Sequence, residues 1–307
     1  MSENEVVCII VTFNRAELLK KVVHGVLNQT KHVSKIIIVD NNSQDNTSEI
    51  VALFKLSFDN IVYHNTGSNL GGAGGFHAGF TIAEDYPYDY IWVMDDDCLP
   101  EPNCLEELLK VNIESVGIVQ PMRYNLDGSC AELSPVEYDL KNPFNLNPKT
   151  KSVLDCYDGL TSDSIIELHG VPFEGPLISK KVIQDVGYPN PNFFIFYDDL
   201  DFSIRARKLG YKIFCSSKAK ATRLLINNQR NDLRSWKGYF MLRNLFYIHS
   251  IYGENSFVKF KPYILVLGYS FLSFLRFDFV QIGTICAAIR DSKKLANTDL
   301  YKPRKKN

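Results

Sequence analysis

Along the first 120 residues the apolar positions alternate between two rhythms. Val6–Val11 is a continuous, β-branched-rich run of strand length and reads as a buried strand. Leu18, Leu19, Val22, Val23, Val26 and Leu27 then recur at helical spacing, with Asn14 and Glu17 placed as a capping box. The alternation continues through a strand at Lys35–Val39 ending in Asp40, a helix at Ser48–Lys55 and a strand at Ile61–His64. A glycine-rich loop, Gly67–Gly79, opens a helix running to about Asp85. Tyr90–Met94 is a fourth strand, Glu101–Val111 a helix and Val116–Gln120 a further strand.

This pattern predicts an α/β fold: a doubly wound, Rossmann-like, mostly parallel sheet covered on both faces. In such sheets ligands bind beyond the carboxyl ends of the strands. Thr12–Arg15, Asp40–Ser43, Gly71–Gly75 and Asp95–Asp97 all fall there, so they converge on one edge. Residues 122–170 have weak periodicity and many turn residues; they are expected to wrap the site as loops and irregular strands, with a lid among them. Regular pattern returns at Pro172–Ser179, in a short helix near Lys180–Val186, at Phe193–Asp201, in a helix Ile204–Leu209 stopped by Gly210, and in a strand Tyr211–Cys215. From Asn231 the chain turns helical and aromatic. The organisation expected is a catalytic domain over residues 1–225 and a helical C-terminal appendage with a basic tail over 226–307.

The chain of 307 residues is 45% apolar and 22% charged, as a folded protein should be. A net charge of −1 argues against nucleic acid as a partner. From Arg290 to Asn307, however, seven Lys and Arg stand against two Asp, a net of +5 that leaves −6 on residues 1–289. Such a tail suits an anionic membrane surface or serves as a solubilising tail. Seven scattered cysteines without a CxxC pair fit a reducing, cytoplasmic compartment. The N-terminus shows no basic-then-apolar signal. Tyr263–Leu275 is apolar for only 13 residues, about 20 Å of helix, short of a bilayer's hydrocarbon core. Beside Arg276 and the tail, it is expected to lie on the inner face of the cell membrane, or else to pack on the catalytic domain or in a homo-oligomer interface.

Two acidic clusters carry the candidate chemistry. Asp95-Asp96-Asp97 follows a buried strand without a gap, and adjacent carboxylates are tolerated when solvated or neutralised by a cation. Asp95 and Asp97 as an Asp-x-Asp pair offer hard oxygens to Mn²⁺ or Mg²⁺. Asp198-Asp199-x-Asp201 lies among aromatics and before Arg205. It offers a general base, or helix caps and an ion pair. Asn69, Gly71, Gly72, Gly74 and Gly75 form a run that either lets backbone amides approach a ligand or is a flexible turn. His77 and His169 lie beside glycine-containing site segments.

These pieces together resemble glycosyltransferase family 2, the inverting group with the GT-A fold. The resemblance rests on Val11–Arg15, Val39–Ser43, Asn69–Phe76, Trp92–Asp97 and Phe196–Gly210, in the family's order over about residues 5–220. The loop Asn69–Phe76 is most similar to galactofuranosyltransferases, with rhamnosyltransferases near. The resemblance implies a nucleotide-sugar half at about 1–120 and an acceptor half at about 121–225. It implies that Thr12, Asn14 and Arg15 line the nucleoside diphosphate, that Asp40 meets the uracil or thymine ring, and that Asp95 and Asp96 help hold the donor. Asp97, with Asp95, would hold the metal. Asp199 would be the base, with Asp198 beside it. Phe173, Glu174, Gly175 and Asp201 would shape the acceptor side, and Tyr239 and Arg243, on one helix face, would reach phosphates. Arg223 stands where relatives carry a metal-binding His, so either another residue completes the metal shell or Arg223 neutralises the diphosphate. The expected reaction is transfer of galactofuranose from UDP-galactofuranose to a glycan or lipid-linked acceptor. The alternatives are a dTDP-rhamnose donor and a catalytically silent sugar-nucleotide-binding protein. A nucleotidyltransferase or dinucleotide oxidoreductase would need a glycine-rich signature after the first strand, and Thr12-Phe13-Asn14-Arg15 is not one.

Overall fold

The computed structural model describes residues 4–225 and 233–303. The alternation appears as β1 (Val6–Thr12), α1 (Ala16–Leu27), β2 (Lys35–Asp40), α2 (Thr47–Ser57), β3 (Ile61–Asn65), α3 (Gly71–Ala83) and β4 (Tyr90–Asp95). It continues with β5 (Cys98–Pro100), α4 (Cys104–Leu109), β6 (Val116–Asn125), a hairpin of β7 (Pro135–Tyr138) and β8 (Lys149–Ser152), and β9 (Ile165–Glu167). Then come β10 (Leu177–Ser179), α5 (Lys180–Val186), α6 (Asp198–Lys208) and β11 (Lys212–Arg223). The C-terminal helices are α7 (Trp236–Tyr252), α8 (Ser256–Leu275), α9 (Phe279–Ser292) and the short α10 (Thr298–Tyr301).

The main sheet runs β3-β2-β1-β4-β10-β6-β11-β5, with β9 also paired to β11. β3, β2, β1 and β4 are mutually parallel, as is β6 with β11. β10 is an antiparallel insert between β4 and β6. Every residue of β1 is buried, because helices cover both faces of the sheet. β6 runs on past Gln120, where the sequence pattern ends it at Pro121. Within β6, β10 pairs only with Ile118 and Val119, so Pro121 lies where no ladder bond is demanded of it on that side.

Two local expectations are corrected. Asn14 is not a helix cap: its backbone is left-handed (φ 54°) and its side chain accepts from the Gln44 amide at 2.6 Å, while Asp45 accepts from the first helical amide, Ala16, at 3.0 Å. The glycine run is mostly helix, not loop. A Cβ on Gly75 would collide with Val11 and one on Gly79 with Ile9, so these two glycines let α3 lie close on β1, while one on Gly74 would collide with Leu70 at the start of the same helix.

α7, α8 and α9 pack on one another, and their core includes Phe194. A second cluster joins Ile248 and Tyr252 of α7 to Ala73, Phe193, Leu200 and Ile204. The helical extension therefore shares its core with the segment leading into α6. α8 is longer than its 13-residue apolar run implies. Its 20 residues span about 30 Å. Among the described residues it is long and apolar enough, by length and composition, to cross a membrane, which removes the length argument against a crossing.

Candidate active site at the carboxyl edge of the sheet

β1 and β4 are neighbours, so their ends bring Thr12–Arg15 beside Asp95–Asp97. Asp96 is spent on this junction. It is buried, accepts from the Thr12 hydroxyl at 2.8 Å, and pairs with Arg15 Nη1 at 3.0 Å. Thr12 is likewise buried, so both act as struts of the site rather than as its lining. Asp95 and Asp97 are only partly buried. Desolvation, then the Asp97 charge, pushes the Asp95 carboxyl well up; desolvation, then Glu174 and Asp96, pushes Asp97 up to about 6. Arg15, 3.6 Å from Asp97, opposes this.

The segment after Phe173 is fastened along β4. The Gly175 amide donates to Val93 O at 2.8 Å, the Trp92 indole donates to Gly175 O at 2.8 Å, and Val93 donates to Pro176 O at 3.0 Å. Gly175 takes φ +103°, open to glycine, and the charge of Glu174 beside it reaches Asp97. Phe173, expected on the acceptor side, is instead core, stacked edge-on against Phe76 and Phe202.

Glu174 belongs to a charged network. Arg123 grips buried Glu132 through Nε (2.8 Å) and Nη2 (2.9 Å), and its Nη1 donates to Glu174 Oε2. Arg223 Nε lies 3.2 Å from the same oxygen. The apolar pattern stops at Gln120, before Pro121, so Arg123 on the continuation of β6 gives no signal in the sequence. Arg123, Glu174 and Arg223 line a cavity of about 500 Å³ with Asp199, Tyr138, Tyr197 and Met241. The β7–β8 hairpin and its loop form the outer wall. The loop is tied to the C-terminal helices: Glu254 donates to Leu140 O at 2.9 Å, Asn255 Nδ2 to Lys141 O at 2.6 Å, and Lys261 Nζ to Asn145 O. A larger cavity, about 690 Å³, lies beside Tyr124, Tyr157 and Lys220 and holds none of the expected site residues.

Asp199 reaches the cavity from the first turn of α6. Desolvation is the main cause that pushes its carboxyl up to about 6; Glu174 adds to the shift and Arg123 opposes it. The approach to α6 is strained: Phe194, Phe196 and Tyr197 all have positive φ, near 67°, 64° and 69°. Asn244 holds that backbone, its Nδ2 donating to Phe193 O, Ile195 O and Phe196 O at 3.1, 2.7 and 2.9 Å. Asp198 is buried outside the cavity lining, its carboxyl pushed well up by desolvation and by Asp199. Asp201 does not face the acceptor side. It pairs with Arg205 at 2.9 Å and accepts from Tyr252 at 2.6 Å, joining α6 to α7.

Tyr239 and Arg243 also depart from expectation. Tyr239 donates to Asp291, and Arg243, fully buried, donates to the carbonyls of Asn192, Phe193, Leu295 and Ala296 and to Thr298. Neither is free for a phosphate. Asp40 is buried and accepts from the Ser43 amide, Tyr63 hydroxyl and Asn65 amide, which uses three of about four lone-pair positions. In the glycine run, Gly71 donates to Asn69 Oδ1 and Ala73 to Phe194 O, while a Cβ on Gly72 would meet nothing within 4 Å. His77 and His169 bond to the Pro189 carbonyl and the Tyr138 amide.

The sequence profile of glycosyl transferase family 2 matches residues 7–162. The chain belongs to glycosyl transferase family 2. It is 29% identical over 213 residues to galactofuranosyltransferase GlfT1 of Mycolicibacterium smegmatis, covering 68% of this chain and 68% of that protein. It is 26% identical over 212 residues to GlfT1 of Mycobacterium tuberculosis H37Rv (67% and 65% covered) and 26% over 211 residues to glycosyltransferase AglE of Haloferax volcanii (67% and 62%). The aligned stretch is thus about two thirds of these relatives' own length. Among solved structures, mannosyltransferase PcManGT from Pyrobaculum calidifontis, in complex with GDP-Man and Mn²⁺, superposes with a TM-score of 0.58 at 15% identity over 96% of this chain and 76% of that one. GalNAc-T7 with UDP, GalNAc and Mn²⁺ gives 0.59 at 12% identity over 84% and 54%. These likenesses establish the GT-A-like fold, and the family makes this glycosyltransferase an enzyme.

Proposed function

We propose that this glycosyltransferase moves galactofuranose from UDP-galactofuranose to a glycan or lipid-linked saccharide in cell-surface polysaccharide synthesis, with inversion at the anomeric carbon. The observation that carries the reaction type is the single cavity in which Asp199 faces Glu174, Arg123 and Arg223, with Asp97 in electrostatic reach. Asp199 takes the proton of the acceptor hydroxyl. The acceptor oxygen bonds to the anomeric carbon as the bond to the diphosphate oxygen breaks, and the nucleoside diphosphate departs on the opposite face. No covalent sugar–enzyme intermediate is needed, so the configuration inverts.

Asp95 and Asp97 suit Mn²⁺ or Mg²⁺. They are hard oxygen donors whose mutual repulsion a dication relieves, and such ions take remaining ligands from phosphate and water. Among the described residues no three His, Cys, Asp or Glu gather into a metal cage, so a metal held by Asp95 and Asp97 would take its other ligands from phosphate and water. When bound, the metal supplies neutralisation of the departing diphosphate. Arg15 Nη1 lies 3.6 Å from Asp97, and Gly72 leaves space at the start of α3.

The galactofuranose donor is supported by the names of the relatives and the likeness of the Asn69–Phe76 loop. The largely saturated Asp40 adds little to the choice between uracil and thymine. Turnover with UDP-galactofuranose, dTDP-rhamnose, UDP-GalNAc and GDP-mannose on lipid-linked acceptors, with NMR of the new linkage, tests the reading. Transfer of rhamnose but not galactofuranose would overturn the donor; donor binding with neither transfer nor hydrolysis would favour the silent protein.

We also propose peripheral attachment to an anionic, cytoplasmic membrane face. Phe257, Phe260, Ile264, Leu267, Phe271 and Phe274 form an exposed stripe at three- and four-residue spacing on α8. The other side of α8 packs on α7 and α9 and buries Lys261 at the Asn145 carbonyl. That attachment favours lying in the headgroup region over crossing. Of the basic tail, residues 304–307 lie outside the described residues.

A further inference from the structure

Arg223 enters the site by an unusual route. β5 pairs antiparallel with β11, which sets Arg223 opposite Cys98, and the next amide, Leu224, donates to Asp97 O at 2.8 Å. Its backbone is therefore anchored beside Asp97, the carboxylate expected to hold the metal, and its guanidinium counters the charge of Asp97. It is nevertheless loosely held. Arg223 Nε is 3.2 Å from Glu174 Oε2 but misaligned for a hydrogen bond, and among the described residues this buried N–H has no partner. Glu174 does not depend on Arg223, because Arg123 Nη1 donates to the same oxygen, and Arg123 is itself clamped twice to Glu132. One arginine is fixed and the other is not.

We propose that Glu174 holds Arg223 in reserve for the diphosphate of the donor, so that donor binding exchanges one anion for another on the Arg223 guanidinium. The inference rests on the nucleotide-sugar reading above. A diphosphate carries more charge than one carboxylate and offers oxygens for the unpartnered Nε–H, so it wins the exchange. Glu174 stays in place on Arg123 but loses one of its two cations. Its Oε2 then accepts more strongly from a hydroxyl in the cavity it shares with Asp199. Donor binding thereby prepares the acceptor side.

The test is calorimetric titration with UDP and Mg²⁺ of the wild type, Arg223→Gln, Glu174→Gln and the double variant. Thermal melts check the fold, and Arg223→Lys serves as the charge-keeping control. Arg223→Gln should weaken UDP roughly tenfold, and Arg223→Lys should recover part of the loss. Glu174→Gln should tighten UDP about three- to tenfold by releasing Arg223, and the double variant should match Arg223→Gln alone. If the gain from Glu174→Gln persists without Arg223, Glu174 acts by plain repulsion and the exchange is wrong. Unchanged UDP affinity in Arg223→Gln would overturn it equally. A wild type that binds dTDP but not UDP overturns the uridine reading alone, and the same cycle is then read with dTDP. A wild type that binds neither sinks both.

Discussion

Arg243 on α7 and Arg223 at the end of β11 are both withdrawn from solvent, yet their guanidinium groups are spent differently. Arg243 donates to four backbone carbonyls, the Thr298 hydroxyl and the neighbouring Asn244 side chain. Nothing is left for a ligand, and it locks the C-terminal helices onto the loop before α6. Arg223 keeps a buried N–H without a partner and faces a carboxylate already held by another arginine. Burial alone does not mark a functional arginine. What separates the two is whether the donors point at carbonyls, which cannot leave, or at an anion that a substrate can displace.

The largest effect that tests this contrast should come from the active side. Asp97→Ala, or excess chelator on the wild type, should abolish transfer by orders of magnitude with little change in melting temperature; full activity in chelator would remove the metal from the reading. Asp199→Asn should lower transfer by roughly 10²–10⁴ while UDP affinity stays within a few-fold. If Asp198→Asn is the dead variant instead, the base is misassigned.

On the structural side, Arg243→Met should cost about 3 kcal/mol or more in denaturant unfolding, because it strands buried carbonyls. Asn244→Ala should cost less, about 1–3 kcal/mol. It should lower the turnover number more than it changes UDP affinity, since three carbonyls of the strained segment before Asp199 lose their donor. UDP affinity that collapses in Arg243→Met protein still folded at the assay temperature would return this arginine to the phosphate.

Smaller effects are expected from pH and salt. With Asp199 pushed up to about 6, the free enzyme's transfer efficiency should fall as pH drops through about 6, and that limb should vanish from the residual activity of Asp199→Asn. The sign for stability is opposite. A carboxyl with a raised folded value binds its proton more tightly when folded, so its contribution to stability declines as pH rises from the ordinary aspartate range through about 6. Asp199→Asn should therefore melt higher than wild type at neutral pH. Flotation with anionic liposomes should weaken with salt and drop on removal of residues 290–307. Flotation indifferent to both would favour α8 packed against a second copy.

Much of the sheet could be read directly, because a strand buried on both faces must be continuously apolar, and β1, β2 and β4 leave little other reading. The convergence of Thr12–Arg15 with Asp95–Asp97 follows from the same logic, since parallel strands end on one edge. The glycine run was harder. Gly75 and Gly79 are glycines because Val11 and Ile9 of β1 leave no room for a Cβ, and spacing does not record a neighbouring strand.

What the sequence by itself determined is therefore the set of strands, the edge on which the acidic and polar residues gather, and the family that such a set resembles. Periodicity and strand polarity are local properties, and they carry that much. Only the tertiary structure decided which polar groups remain available. Thr12, Asp96, Asp201, Tyr239 and Arg243 are consumed by partners more than 40 residues away or across a helix turn, while Arg223 and Glu174 are left facing a cavity with Asp199. A hydrogen-bonding group has a fixed number of donors and acceptors. Whether any is left for substrate depends on neighbours that only folding brings within 3 Å or so.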